Sequence, residues 1–143
     1  MQESIDVARV VEAFYARMSA GDVEGAAACL VEDPRTFAIG TQRIGPGRDE
    51  WLESIRGNAE MGVRWETGGL RAWEAGDGGF AVDETSAVLP DGMRLTMRTT
   101  AFLTRDADGS FRIFNMHFSW AVPDEIAMPR VTQWREELGL VTA

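Results

Sequence analysis

Lysine is absent from the chain: all 14 basic residues are arginine, set against 23 aspartates and glutamates. A net charge of −9 with no basic stripe excludes the electrostatic footprint of a nucleic-acid-binding protein. Cysteine is almost absent too. Cys29 stands alone, so no intramolecular disulfide can form, and a reducing, cytoplasmic setting is expected. It lies in "GAAACLVED", among small and apolar residues that suit a structural thiol better than a nucleophile. His117 is the only histidine, and with one distant cysteine it does not make a zinc site. No metal or other cofactor is expected. No stretch approaches the roughly 18 apolar residues that cross a bilayer, so no membrane partner is expected. The opening "MQESIDVARVVEAFY" has no basic region followed by an apolar one, and no signal peptide is expected. Phosphate-binding glycine spacings are missing as well: "GGLRAWEAGDGG" lacks both the lysine and the strand–helix context. No serine–histidine–acid arrangement is legible.

What is present describes one folded domain. The 143 residues, 45% of them apolar, suffice for a single core and are read as one domain over 1–143, with no repeat, linker or low-complexity stretch. "IDVARVVEAFYARMS" places Val7, Val10, Val11, Phe14 and Met18 on one helical face. Gly21 reads as a helix stop and Asp22 as the next cap. "VEGAAACLVE" predicts a second helix ended by Asp33-Pro34, "TFAI" a short strand, and "GTQRIGPG" a turn or tight hairpin. "RDEWLESIRGNAEM" predicts a third helix with Trp51, Leu52, Ile55 and Ala59 on its apolar side. Then the period changes. "GVRWETGGLRAWEAG", "GGFAVDETSAVLP", "GMRLTMRTTAFLTRD" and "GSFRIFNMHFSWAV" predict four extended segments in an antiparallel meander, joined by "AGDGG", "PDG" and "DADG" turns. The tail, with prolines at 123 and 129, predicts two short helical turns rather than one helix.

"VVEAFYARMSAGDVEGAAACLVEDP" resembles the opening of the SnoaL-like, nuclear transport factor 2-like superfamily: an amphipathic helix, a Gly-Asp turn and a second helix. "MRTTAFLTRDADGSFRIFNMHFSWAVPDE" resembles its final hairpin, closest to the branch of the calcium/calmodulin-dependent kinase II association domain. Arg98, Thr99, Asp108, Gly109, Phe111, His117 and Ser119 carry that likeness. The resemblance implies an α+β, cone-shaped roll: N-terminal helices packed on a strongly curved, mainly antiparallel sheet around a central pocket. It also implies a homodimer through the β-sheet. Superfamily members include isomerases, polyketide cyclases, dehydratases and hydrolases, so the fold does not assign a reaction.

The catalytic positions of these relatives do not carry over. The isomerases' oxyanion tyrosine, seven residues before the Gly of Gly-Asp, falls on Phe14, and Tyr15 lies about 100° round the helix. Their aspartate base falls near Phe37 and Ala38. On the last strand, alternation puts Phe114, Met116, Phe118 and Trp120 on one side, and Phe111, Ile113, Asn115, His117 and Ser119 on the other. The catalytic aspartate of hydrolase and cyclase relatives then matches Met116, and His117 faces outward. A bulge would swap the faces and turn His117 inward. The weaker catalytic candidates are His117, Asp83, Glu84, Arg98 and Tyr15, with a cross-strand ion pair from Arg98 to Asp83 or Glu84 favoured over a ligand anchor.

The reading is a domain that binds a small apolar organic molecule. Its pocket walls are Phe14, Met18, Trp51, Ile55, Trp65, Phe114, Met116, Phe118 and Trp120. Two alternatives stand beside it: an enzyme of the cyclase, isomerase or dehydratase kind, and a structural homo-oligomerisation module.

Overall fold

The computed structural model describes residues 1–40, 45, 47–120 and 122–139, without the side chain of Asp124. The chain forms β1 (Gln2–Glu3), α1 (Ile5–Ser19), α2 (Val23–Ala28), β2 (Phe37–Ile39) and α3 (Arg48–Glu60). Then come β3 (Arg64–Glu66), β4 (Arg71–Ala75), β5 (Gly78–Val88), β6 (Arg94–Arg105), β7 (Phe111–Trp120) and α4 (Asp124–Glu137). The strands make a curved, unclosed seven-stranded sheet in the order β1-β4-β5-β6-β7-β2, with β3 also paired to β5. All pairings are antiparallel except β2 with β7. This is the expected α+β architecture. The "GTQRIGPG" turn falls largely outside the described residues.

The first helix starts where its chemistry directs. Ser4 accepts from the Val7 amide and donates to Glu74, which ties the helix start to β4. Val7, Val11, Phe14, Tyr15 and Met18 are buried, so the apolar face continues down α1 and takes in the tyrosine. Gly21 ends the turn at φ +70°, and Asp22 caps α2 through the Gly25 amide. Where α1 crosses the sheet the approach is close: a Cβ on Gly79 would lie 2.8 Å from Val7 Cγ2.

Three elements differ from expectation. The second helix stops at Ala28 because the backbone beyond it pairs with β7: Ile113 donates to the Cys29 carbonyl at 2.8 Å, and Val31 donates to that of Ile113 at 2.9 Å. The first extended segment divides into β3 and β4 at Gly68 and Gly69, whose amides turn aside to the Asp83 carboxylate at 3.1 and 2.9 Å. The tail is one helix, α4, with Pro129 inside it. α4 exposes nearly all its described side chains, so water can take the Glu125 carbonyl that proline leaves without a donor.

β7 holds the bulge. Phe102 faces Asn115 and Leu103 faces Ile113, which leaves Phe114 as the extra residue. Upstream of it, the expected alternation is reversed. Phe111 and Ile113 share the core face with Met116, while Phe114 packs edge-on against Phe37 beside β2.

Candidate functional site

A cleft of about 490 Å³ opens between α3 and one end of the sheet. Its apolar walls come from six elements: Met18 on α1, Ala38 on β2, Trp51 and Ile55 on α3, Trp65 on β3, Met97 on β6 and Phe118 on β7. α3 contributes the polar side as well. Glu50, Ser54, Asn58 and Glu53 follow Trp51 and Ile55 round the same face at helical spacing. Among the described lining residues there is no arginine and no histidine.

Of the nine wall residues expected from sequence, Met18, Trp51, Ile55, Trp65 and Phe118 line this cleft. Phe14 and Met116 are fully buried one layer behind, with Phe14 meeting Trp51 edge-on at 5.7 Å. Phe114 lies at the bulge, away from the cleft, and Trp120 is 39% exposed at the end of β7. Met97 and the polar residues of α3 were not anticipated. The second group was available from the 3–4 spacing. The first was not, because Met97 reaches the site only through its register opposite Trp120.

Tyr15 and Asp83 do come together, but in the core. Thr85 Oγ1 lies 2.9 Å from the Tyr15 hydroxyl, 3.0 Å from Asp83 Oδ2 and 3.1 Å from Thr99 Oγ1. A hydroxyl has one proton, and the carboxylate can only accept it, so Thr85 donates to Asp83. Tyr15 and Thr99 must then both donate to Thr85. Asp83 Oδ1 accepts the Gly68 and Gly69 amides. The network is saturated and has one polarity. Burial pushes the Tyr15 phenol up to about 12, against the smaller lowering effects of the Thr85 and Thr99 hydrogen bonds. Tyr15 is therefore a neutral donor already engaged, and Asp83 pins the β3–β4 crossing.

The remaining candidates lie on the outer face of the sheet. His117 is exposed, opposite Thr100 on one side and Ile39 on the other. The bulge that could have turned it inward lies upstream, at Phe114, and leaves it outside. Glu84 and Arg98 are cross-strand partners and both exposed, yet they form no ion pair. Arg98 donates instead to the Trp120 carbonyl at 3.2 Å. Burial raises the Cys29 thiol, whose Sγ approaches the Gly25 carbonyl. Among the described residues no group of three or more histidines, cysteines or acids is placed to hold a metal. No described helix is long and apolar enough to cross a membrane.

Trp65 joins the network to the cleft. Its ring stacks on Tyr15 at 6.2 Å and 13°, and tilts against Phe118 at 5.9 Å. Ser19 Oγ accepts the Trp65 amide at 2.7 Å and donates to its carbonyl at 3.2 Å. The indole Nε1 is the one buried side-chain nitrogen or oxygen, among the described residues, without a hydrogen-bond partner. Leaving such a donor unpaired costs about 1–3 kcal/mol.

Comparison with known proteins places this geometry. The SnoaL-like domain matches residues 7–124. No curated protein matches the sequence. Among solved structures, a Streptomyces avermitilis protein provisionally named a dehydratase of the NTF2-like family is similar, with a TM-score of 0.70 at 17% identity, over 82% of this chain and 95% of that one. A Shewanella frigidimarina protein provisionally named a ketosteroid isomerase gives 0.69 at 15%, over 80% and 94%. A Thiobacillus denitrificans protein provisionally named a calcium/calmodulin-dependent kinase II association domain gives 0.68 at 17%, over 79% and 93%. At these identities the likeness is one of fold.

Proposed function

The chain belongs to the SnoaL-like domain family, and on that premise we propose that it binds a small apolar organic molecule in the cleft beside α3. One observation carries the reading: walls from six separate elements converge on a space of about 490 Å³, within the size range of small-molecule sites. Trp51, Trp65 and Phe118 supply the large apolar surfaces that such ligands cover. The reaction of a cyclase, isomerase or dehydratase needs an acid or base beside its substrate. The five candidates read from the sequence lie elsewhere, Tyr15 and Asp83 in the core and His117, Glu84 and Arg98 outside; of the two carboxylates that do line the cleft, Glu53 is ion-paired to Arg56, and binding is the better-supported reading.

The same reading includes a homodimer through the outer face of the sheet. Trp73, Phe80 and Phe102 form a ladder of rings there, at 6.0 and 5.3 Å, and Phe102 is 52% exposed. A second copy covers it most economically, because one self-complementary patch serves both partners. With its single free thiol, the protein is assigned to a reducing, cytoplasmic setting.

Titration with Nile red, a neutral dye that brightens in apolar surroundings, tests the cleft. Ser54 is exposed on α3 and lines the opening, so Ser54→Trp fills it without disturbing the core. The expected result is at least a tenfold weaker dye affinity (on the order of 1.4 kcal/mol) with an unchanged melting temperature. Equal affinity for both proteins contradicts the assignment.

A further inference from the structure

We infer that the Trp65 indole N–H is the specificity-determining donor of the cleft, and that its ligand is a largely apolar molecule carrying a hydrogen-bond acceptor such as a carbonyl oxygen. The inference rests on the binding reading above and names the chemistry that the site selects.

The first ground is an imbalance. The polar groups behind Trp65 are matched: Tyr15, Thr85, Thr99 and Asp83 form one saturated network, and Ser19 serves the Trp65 backbone on both sides. In that setting the indole N–H alone is left over. The second ground is rigidity. Stacking on Tyr15 and contact with Phe118 hold the ring on two sides, and Ser19 fixes the backbone that carries it, so it is not free to seek a partner elsewhere. A fixed donor loses little freedom when it binds, which is what selectivity for one ligand atom requires. The third ground is position, since Trp65 is itself part of the cleft wall.

Nε1 is covered, so an acceptor reaches it only where the wall yields. Met18 and Met97 are both in that wall, and their unbranched thioether chains shift more readily than any ring. A buried donor that is paired by the right ligand and left unpaired by its deoxygenated analogue separates the two strongly.

The test compares 2-acetylnaphthalene with 2-ethylnaphthalene, which share ring and bulk and differ in the carbonyl, by calorimetric titration of the protein and of Trp65→Phe. The ketone is expected to bind the native protein about tenfold more tightly than the hydrocarbon. In Trp65→Phe that preference falls to within about twofold, whatever affinity the smaller ring costs both probes alike. A second readout needs no variant: in the 15N-labelled native protein, the Trp65 indole proton moves downfield with the ketone and not with the hydrocarbon. If both probes bind and the preference survives in Trp65→Phe, or the indole signal responds equally to both, the inference is overturned and the cleft reading stands. If neither probe binds, both fall.

Discussion

Tyr15 is the chain's one tyrosine, which makes its titration readable without assignment. In the unfolded chain its phenol ionises near 10.0, and in the folded protein burial moves this to about 12. Below pH 10 both states keep the proton and the fold has its full stability. Between 10 and 12 only the unfolded chain gains by ionising, so stability falls as pH rises through that window. Absorbance at 295 nm should show no phenolate in the folded protein at pH 10.5, and the urea midpoint should drop between pH 10 and 12. A phenolate signal centred at pH 10 in the folded state would contradict the buried placement. Thr85 is the hub of the same network. Thr85→Val leaves Asp83 Oδ2 and two hydroxyls without a partner and should cost about 2–3 kcal/mol in urea unfolding, against about 1 kcal/mol for Tyr15→Phe. Equal losses would mean that Thr85 is not the hub. None of this was legible in the sequence, where Tyr15 was judged only against the position of Phe14. Residues 15, 83, 85 and 99 meet through tertiary structure, and a threonine on a strand carries no mark that distinguishes a hub from an ordinary strand former.

At the level of elements, periodicity located α1 and α3 to within about a residue, because each buries a stripe at the helical repeat. It failed where another element decides the outcome. The end of α2 depends on β7 taking the Cys29 and Val31 backbone, and the gap between β3 and β4 depends on Asp83. The bulge at Phe114 left the assigned faces correct from Met116 to Phe118 and reversed at Phe111 and Ile113, since alternation alone cannot reveal an inserted residue. α4 is the least integrated element: Ile126, Met128, Trp134 and Leu138 are more than half exposed. Ending the chain after Val122 should therefore remove helical circular dichroism and shift the melting temperature by no more than about 2 °C. A larger fall would show that α4 docks on the rest of the protein or on a second copy.

At the scale of the whole molecule, two apolar surfaces bear on the proposed function, the concave cleft beside α3 and the ring ladder on the outer sheet face. Phe102→Arg adds charge at an already exposed position, so it should spare the monomer's fold and convert a dimer to a monomer on a sizing column. An unchanged elution volume would remove this face from the assembly. The cleft was partly legible, because helix faces and aromatic content pointed to Met18, Trp51, Ile55, Trp65 and Phe118. Met97 and the unpaired Trp65 N–H became visible only with the elements packed together.

The central claim, that the cleft is a binding site for a small apolar molecule, is tested most directly by a crystal structure of the protein with 2-acetylnaphthalene. The account predicts ring density between Trp51, Trp65 and Phe118. Density confined to the outer sheet face, or a cleft closed by its own side chains with none, would contradict it.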